Sequence, residues 1–113
     1  MGVIRIIDGE TIEQGSGNVY ADLGLPDSDE MLVKAGLARE IAQIIGRRRL
    51  TQQRAAELLG MTQPKLSDIL RGKFRGISQA KMIECLNRLG RDVDIVVKKA
   101  NQRALGHTHV VVA

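Results

Sequence analysis

The stretch Thr51-Gln-Gln-Arg-Ala-Ala-Glu-Leu-Leu-Gly60-Met-Thr-Gln-Pro-Lys-Leu-Ser-Asp-Ile-Leu-Arg-Gly72 constrains the fold more than any other, because its punctuation leaves room for two short helices and a tight turn. Thr51 is an N-cap residue, and Ala55, Leu58 and Leu59 share one face of the helix it opens. Gly60 supplies the left-handed residue that a helix end commonly requires, and Thr62 caps the next segment. Pro64 stands in the first turn of that segment, where its missing N–H forfeits no intrahelical bond, and Gly72 ends it. Leu66, Ile69 and Leu70 fall on one side, which turns Gln63, Pro64, Ser67, Asp68 and Arg71 outward.

Two helices joined by a short Gly-containing turn describe either an ordinary helical hairpin or a helix-turn-helix, whose second helix enters the DNA major groove. Ala55 suits the second, since a small residue in mid-helix lets the two backbones cross closely. Charge decides between them. Arg47 to Arg75 contains eight basic residues against two acids, a net of +6, which a solvated hairpin has no use for and a phosphate backbone does. On this reading Gln63, Pro64, Lys65, Ser67 and Asp68 face base edges, Gln63 being able to bond two atoms of one adenine. Arg48, Arg49, Gln52, Gln53, Arg71, Lys73 and Arg75 are expected to hold phosphates from the flanks of the motif. The Arg47–Arg49 run also complements the dipole at the end of the preceding helix, and both roles can hold together.

Leu50-Thr51-Gln52-Gln53, Ala55-Ala56, Leu58-Leu59-Gly60, Thr62-Gln63-Pro64 and Leu66-Ser67-Asp68-Ile69-Leu70-Arg71-Gly72-Lys73 together resemble the phage-repressor type of helix-turn-helix regulator. The flanks Gly17-Asn18-Val19-Tyr20-Ala21-Asp22-Leu23-Gly24-Leu25-Pro26 and Leu89-Gly90-Arg91-Asp92-Val93-Asp94-Ile95-Val96-Val97 are similar to the subgroup containing HigA-type antitoxins, so the resemblance covers about residues 15 to 99. It implies a repressor of its own operon that neutralises an RNA-cleaving protein toxin.

Around the motif the chain is expected to be mainly α, with four to five short helices. Met31, Leu32, Ala35, Ala38, Ile41, Ala42 and Ile45 recur at helical spacing, widened by Leu37 and Ile44, which predicts a long helix from about Asp29 to Arg48. Asp27 and Glu30 have the spacing of a capping box before it. Ser78 opens a last helix whose inner face is expected to carry Ala80, Ile83, Leu86 and Leu89, ending at Gly90. Tyr20 and Phe74 are the only large aromatic residues, so the core must be aliphatic; Phe74 is expected to plug it. Tyr20, Leu23 and Leu25 are expected to pack on the helices.

The ends are β-prone. Val3-Ile-Arg-Ile-Ile7 reads as a brief strand before a flexible joint at Gly9, Gly15 and Gly17, or else as a disordered tail. Asp92–Val97 and His107–Val112 read as one or two C-terminal strands. A lone hairpin leaves open edges, so Val93, Ile95 and Val97 are expected to pair with the same strand of a second copy, giving a two-fold homodimer able to read a palindromic operator. The expected organisation is a flexible acidic segment over 1–18, the helix-turn-helix domain over 19–91, and a strand or hairpin with its tail over 92–113.

Residues 1–30 hold one base against seven acids, net −6, whereas residues 31–113 carry +10. The basic body suits nucleic acid. The acidic head suits a basic protein partner such as the toxin, or is a solubilising tail. No phosphate loop, metal-ligand cluster or nucleophile arrangement stands out: Cys85 lies in an aliphatic helix, and His107 and His109 supply only two ligands. Neither enzyme activity nor cofactor nor metal is expected. Without a membrane-spanning run or leader, the chain is expected to be cytoplasmic. The alternative is a protein inhibitor with accessory DNA binding, or a phage-type regulator without a linked toxin.

Overall fold

A computed structural model describes residues 3–8, 28–100 and 105–113. The helical stripes become α1 (Ser28–Arg47), α2 (Gln52–Leu59), α3 (Gln63–Leu70) and α4 (Gln79–Arg88). The β-prone runs become β1 (Val3–Asp8), β2 (Asp92–Val97) and β3 (Thr108–Val112). The chain is thus mainly α, a small helix-turn-helix domain with strands at its C-terminus, as its periodicities suggest.

One aliphatic core joins all four helices. Leu37, Ile41 and Ile44 of α1 meet Leu59 of α2, Leu66 and Ile69 of α3, and Met82 and Leu86 of α4, each of them sealed from solvent. Each such side chain contributes roughly 1.5–3 kcal/mol by leaving water. Phe74 fills the core from the loop after α3, as expected. Two alanines expected inside are outside: Ala42 and Ala80 are exposed. In α4 the inner stripe is Met82, Cys85, Leu86 and Leu89, a phase set by Met82, whose burial removes far more apolar surface than that of Ala80. In α1 the stripe takes in Val33 instead, together with the polar Lys34 and Glu40.

Every helix stops in the same way. After α2, Met61 N–H donates to Ala56 O and Gly60 N–H to Glu57 O; after α3, Lys73 donates to Asp68 O and Gly72 to Ile69 O; after α4, Arg91 donates to Leu86 O and Gly90 to Asn87 O. This paired six-to-one and five-to-two bonding requires a left-handed residue, and Gly60, Gly72 and Gly90 supply it at φ 67°, 84° and 86°. At the end of α1 the same bonds run from Leu50 to Ile45 O and from Arg49 to Gly46 O. There the left-handed residue is Arg49, at φ 53°, the one non-glycine among the described residues with positive φ.

The sheet departs from expectation. The two C-terminal runs do not form a hairpin with each other, because β1 lies between them in the order β2-β1-β3. It runs parallel to β2, with Val3 opposite Asp92 and Asp8 opposite Val97, and antiparallel to β3, with Ile4 opposite Val112 and Asp8 opposite Thr108. An inserted strand satisfies the inner edges of both neighbours at once, and three strands against a helical layer are more stable than two. The strand expected at Val3–Ile7 is therefore present as the central one. The joint at Gly9, Gly15 and Gly17, the Asp27 cap and the packing of Tyr20, Leu23 and Leu25 lie outside the described residues.

The sheet sits on α1 and α4. A Cβ placed on Gly36 would stand 3.0 Å from Val110 Cβ, so the absence of a side chain at Gly36 is what lets β3 lie against α1. Val93 also packs on the core, whereas Ile95 and Val97, two and four residues further along β2, are 66% and 80% exposed.

Candidate nucleic-acid interface

The geometry of the motif follows from its caps. Thr51 Oγ1 accepts from Arg54 N–H at 3.1 Å and Thr62 Oγ1 from Lys65 N–H at 3.3 Å, which fixes where α2 and α3 begin. Ala55 and Ala56 are buried in the core. The Gly60 turn is covered by Arg88 of α4: a Cβ at Gly60 would stand 2.9 Å from Arg88 Nη1.

With Leu66 and Ile69 anchored in the core, the opposite side of α3 is presented to solvent. Gln63, Pro64 and Lys65 are exposed and Ser67 and Asp68 half-buried. Gln52, Gln63, Pro64, Ser67, Asp68 and Arg71 line one open depression, so the start of α2 and the outer side of α3 form a single surface. Gln53 and Lys65 are exposed without lining that depression. Asp68 Oδ1 accepts from Arg71 Nη2 at 2.9 Å, and Glu57 Oε2 from Arg54 Nη1 at 3.1 Å. The carboxylate that stands out in so basic a stretch is thus paired to the arginine one turn later.

The other cations expected at phosphates lie before and after the motif in sequence. Arg48 and Arg49 are exposed at the end of α1, directly before the Thr51 cap. Lys73 and Arg75 are exposed on either side of the buried Phe74. Sequence reading overlooked what holds that loop. Lys34 is 3% exposed in α1, pairs with Glu30 at 3.4 Å, and donates from Nζ to Arg75 O at 2.9 Å. It equally overlooked Arg88 over the turn and Gly36 under the sheet. A lysine falling within the apolar stripe of α1 was the one available signal.

Away from this surface, His107 Nδ1 and Asp29 Oδ2 stand 2.9 Å apart, joining the start of β3 to the first turn of α1. His109 is buried and its Nε2 has no partner among the described residues. No group of three or more His, Cys, Asp or Glu among the described residues is placed to hold a metal. Cys85 is buried, and that burial pushes its thiol above the ordinary range. Among the described residues no helix is long and apolar enough to cross a membrane.

Comparison with known proteins agrees with this geometry. Residues 19–98 match the model of a family described as a helix-turn-helix domain. A solved chain assigned by name to the XRE family of transcriptional regulators is 38% identical, with a TM-score of 0.65 over 70% of this chain and 89% of that one. No curated protein matches.

Proposed function

The chain belongs to this helix-turn-helix family and is a DNA-binding transcriptional regulator of XRE type, and from that premise we propose that it is a sequence-specific repressor acting as a homodimer on a palindromic operator. One observation carries the base-reading assignment: Gln63, Pro64, Ser67 and Asp68 share one open surface with Gln52 and Arg71, on the side of α3 away from the core. A recognition helix reads with its outward side, where Gln63, Ser67 and Asp68 offer donors and acceptors and Pro64 offers apolar surface. Lys65 reaches base edges from the adjoining position. Arg48, Arg49, Gln52, Gln53, Arg71, Lys73 and Arg75 supply phosphate contacts around it. The test is Gln63→Ala, measured on a selected operator and on random duplex. The expected loss is roughly 1–3 kcal/mol on the operator and little on random DNA. Equal losses on both would sink the base-reading role.

The homodimer is supported by β2. One side of it pairs with β1, its other edge has no strand neighbour among the described residues in the order β2-β1-β3, and Ile95 and Val97 expose apolar surface beside that edge. Soluble chains seldom leave such an edge uncovered. A second β2 with Val93, Ile95 and Val97 covers it and places two α3 helices on one DNA. Sedimentation of the intact chain at micromolar concentration reads this directly, a monomer overturning it.

We further propose that the regulator is the antitoxin of a toxin–antitoxin pair, neutralising an RNA-cleaving toxin and repressing their shared operon. The support is the resemblance over residues 15 to 99 and the net −6 of the first thirty residues, which suits a basic partner. The neighbouring reading frames test it: a small basic toxin-like frame beside this one is expected, and its absence favours a phage-type regulator instead.

A further inference from the structure

We propose that Lys34, a buried residue of α1 remote in sequence from the motif, positions the phosphate-binding loop that follows α3. The inference rests on the reading above that Lys73 and Arg75 meet phosphates. Beyond the Lys73 N–H bond to Asp68 O at 2.7 Å, that loop is held at three further points. Phe74 and Ile77 are buried in the core, at 4% and 8% exposure, and Ile77 N–H donates to Phe74 O at 3.0 Å. The third point is polar: the Lys34 ammonium, 3% exposed, donates to the Arg75 carbonyl at 2.9 Å across 41 positions of sequence.

Burying an ammonium is unfavourable unless it is paired, and Lys34 meets that requirement with Glu30 at 3.4 Å and the loop carbonyl. An aliphatic side chain of the same length would fill the space without that demand. What the ammonium adds is direction. It fixes one backbone carbonyl of the loop, and with Phe74 turned inward a fixed Arg75 carbonyl determines where the Arg75 side chain leaves the surface, beside a Lys73 whose N–H is already held by Asp68 O. The apolar anchors set how deep Phe74 sits and the Ile77 bond holds the Phe74 carbonyl, but neither engages the Arg75 carbonyl. Lys34 is thus a positioning residue that touches no DNA and acts through the loop that does.

The test is a double-mutant cycle on the full chain, read by fluorescence anisotropy with a labelled duplex of arbitrary sequence over a salt series. Lys34→Met keeps the stem and removes the ammonium; Lys73→Gln with Arg75→Gln removes the loop charges. The loop variant is expected to flatten the slope of log K against log salt by about two units. Lys34→Met is expected to flatten it by at least about one unit in the wild-type background and not at all in the loop-variant background. A Lys34→Met effect of equal size in both backgrounds overturns the proposal, since Lys34 then acts by its own charge or through the fold. So does an unchanged slope in an otherwise wild-type chain. If the loop variant itself leaves the slope unchanged, the phosphate reading fails and the proposal falls with it, a result distinct from the other two. Should Lys34→Met not fold, Lys34→Arg in the same cycle keeps the charge while displacing the donor, and the same coupling to Lys73 and Arg75 is required.

Discussion

At the scale of single residues, Arg49 is where stability and the proposed phosphate contact oppose each other. It fills the left-handed position that glycine fills at the ends of the other three helices, a conformation that costs an ordinary side chain about 1–2 kcal/mol. Strain held beside a binding surface is a recurrent sign that the side chain is wanted there. Arg49→Gly is therefore expected to raise stability by up to about 1 kcal/mol in urea unfolding. The same variant is expected to weaken binding to random and cognate DNA alike, flattening the salt dependence by about one unit. A gain in stability with unchanged DNA affinity would remove Arg49 from the phosphate contacts. This position also shows what sequence could and could not tell. The caps at Thr51, Thr62, Gly60 and Gly72 were legible because each residue type has one dominant use at a helix end. Arg49 was read only for its charge, because nothing local marks an arginine as left-handed. Lys34 showed only as a cation within an apolar stripe, and its role was unreadable for another reason: its partner is a backbone carbonyl 41 positions away, which no spacing encodes.

At the scale of elements, the helices were legible and their phases partly so. The 3.6-residue rhythm predicted all four, yet Ala42 and Ala80 were assigned inward because alanine is compatible with either side and only neighbouring bulk decides. The two glycines that close the motif helices are predicted to behave differently when given a side chain. Gly60→Ala must bear a φ of 67° and also displace the Arg88 guanidinium, 2.9 Å from the new atom. Gly72→Ala bears a φ of 84° with nothing within 4 Å. The conformational cost of about 1–2 kcal/mol is common to both. Gly60→Ala should therefore be the more destabilising, and adding Arg88→Ala to it should recover the difference. Thermal unfolding of the four chains measures this; equal costs at Gly60 and Gly72 would mean that Arg88 moves aside freely.

At the scale of the whole molecule, strand existence was legible and strand partnership was not. Alternation marks each strand by itself, but whether β2 meets β3 or β1 depends on chain geometry over some ninety positions, with Val3 opposite Asp92. The outcome changes what the N-terminus is for. Removing residues 1–8 takes out the central strand, so β2 and β3 lose their shared neighbour while all four helices are retained. That truncation is expected to leave the helical circular dichroism nearly intact and to abolish the proposed dimer, giving monomer or aggregate by sedimentation. A truncated chain with wild-type oligomeric state would show that β2 keeps its place without β1. The interposed strand also sets an order of events during synthesis. Val3–Asp8 leaves the ribosome before either of its neighbours, which lie some ninety and more positions later, the farther ending at Val112. The four helices can pack as soon as Leu89 is out, whereas pairing with the distant strands waits until they too have been made. The nascent regulator therefore carries packed helices before the edge proposed to meet a second copy has its own neighbour, and of the three described strands the earliest made is the last to be fully paired.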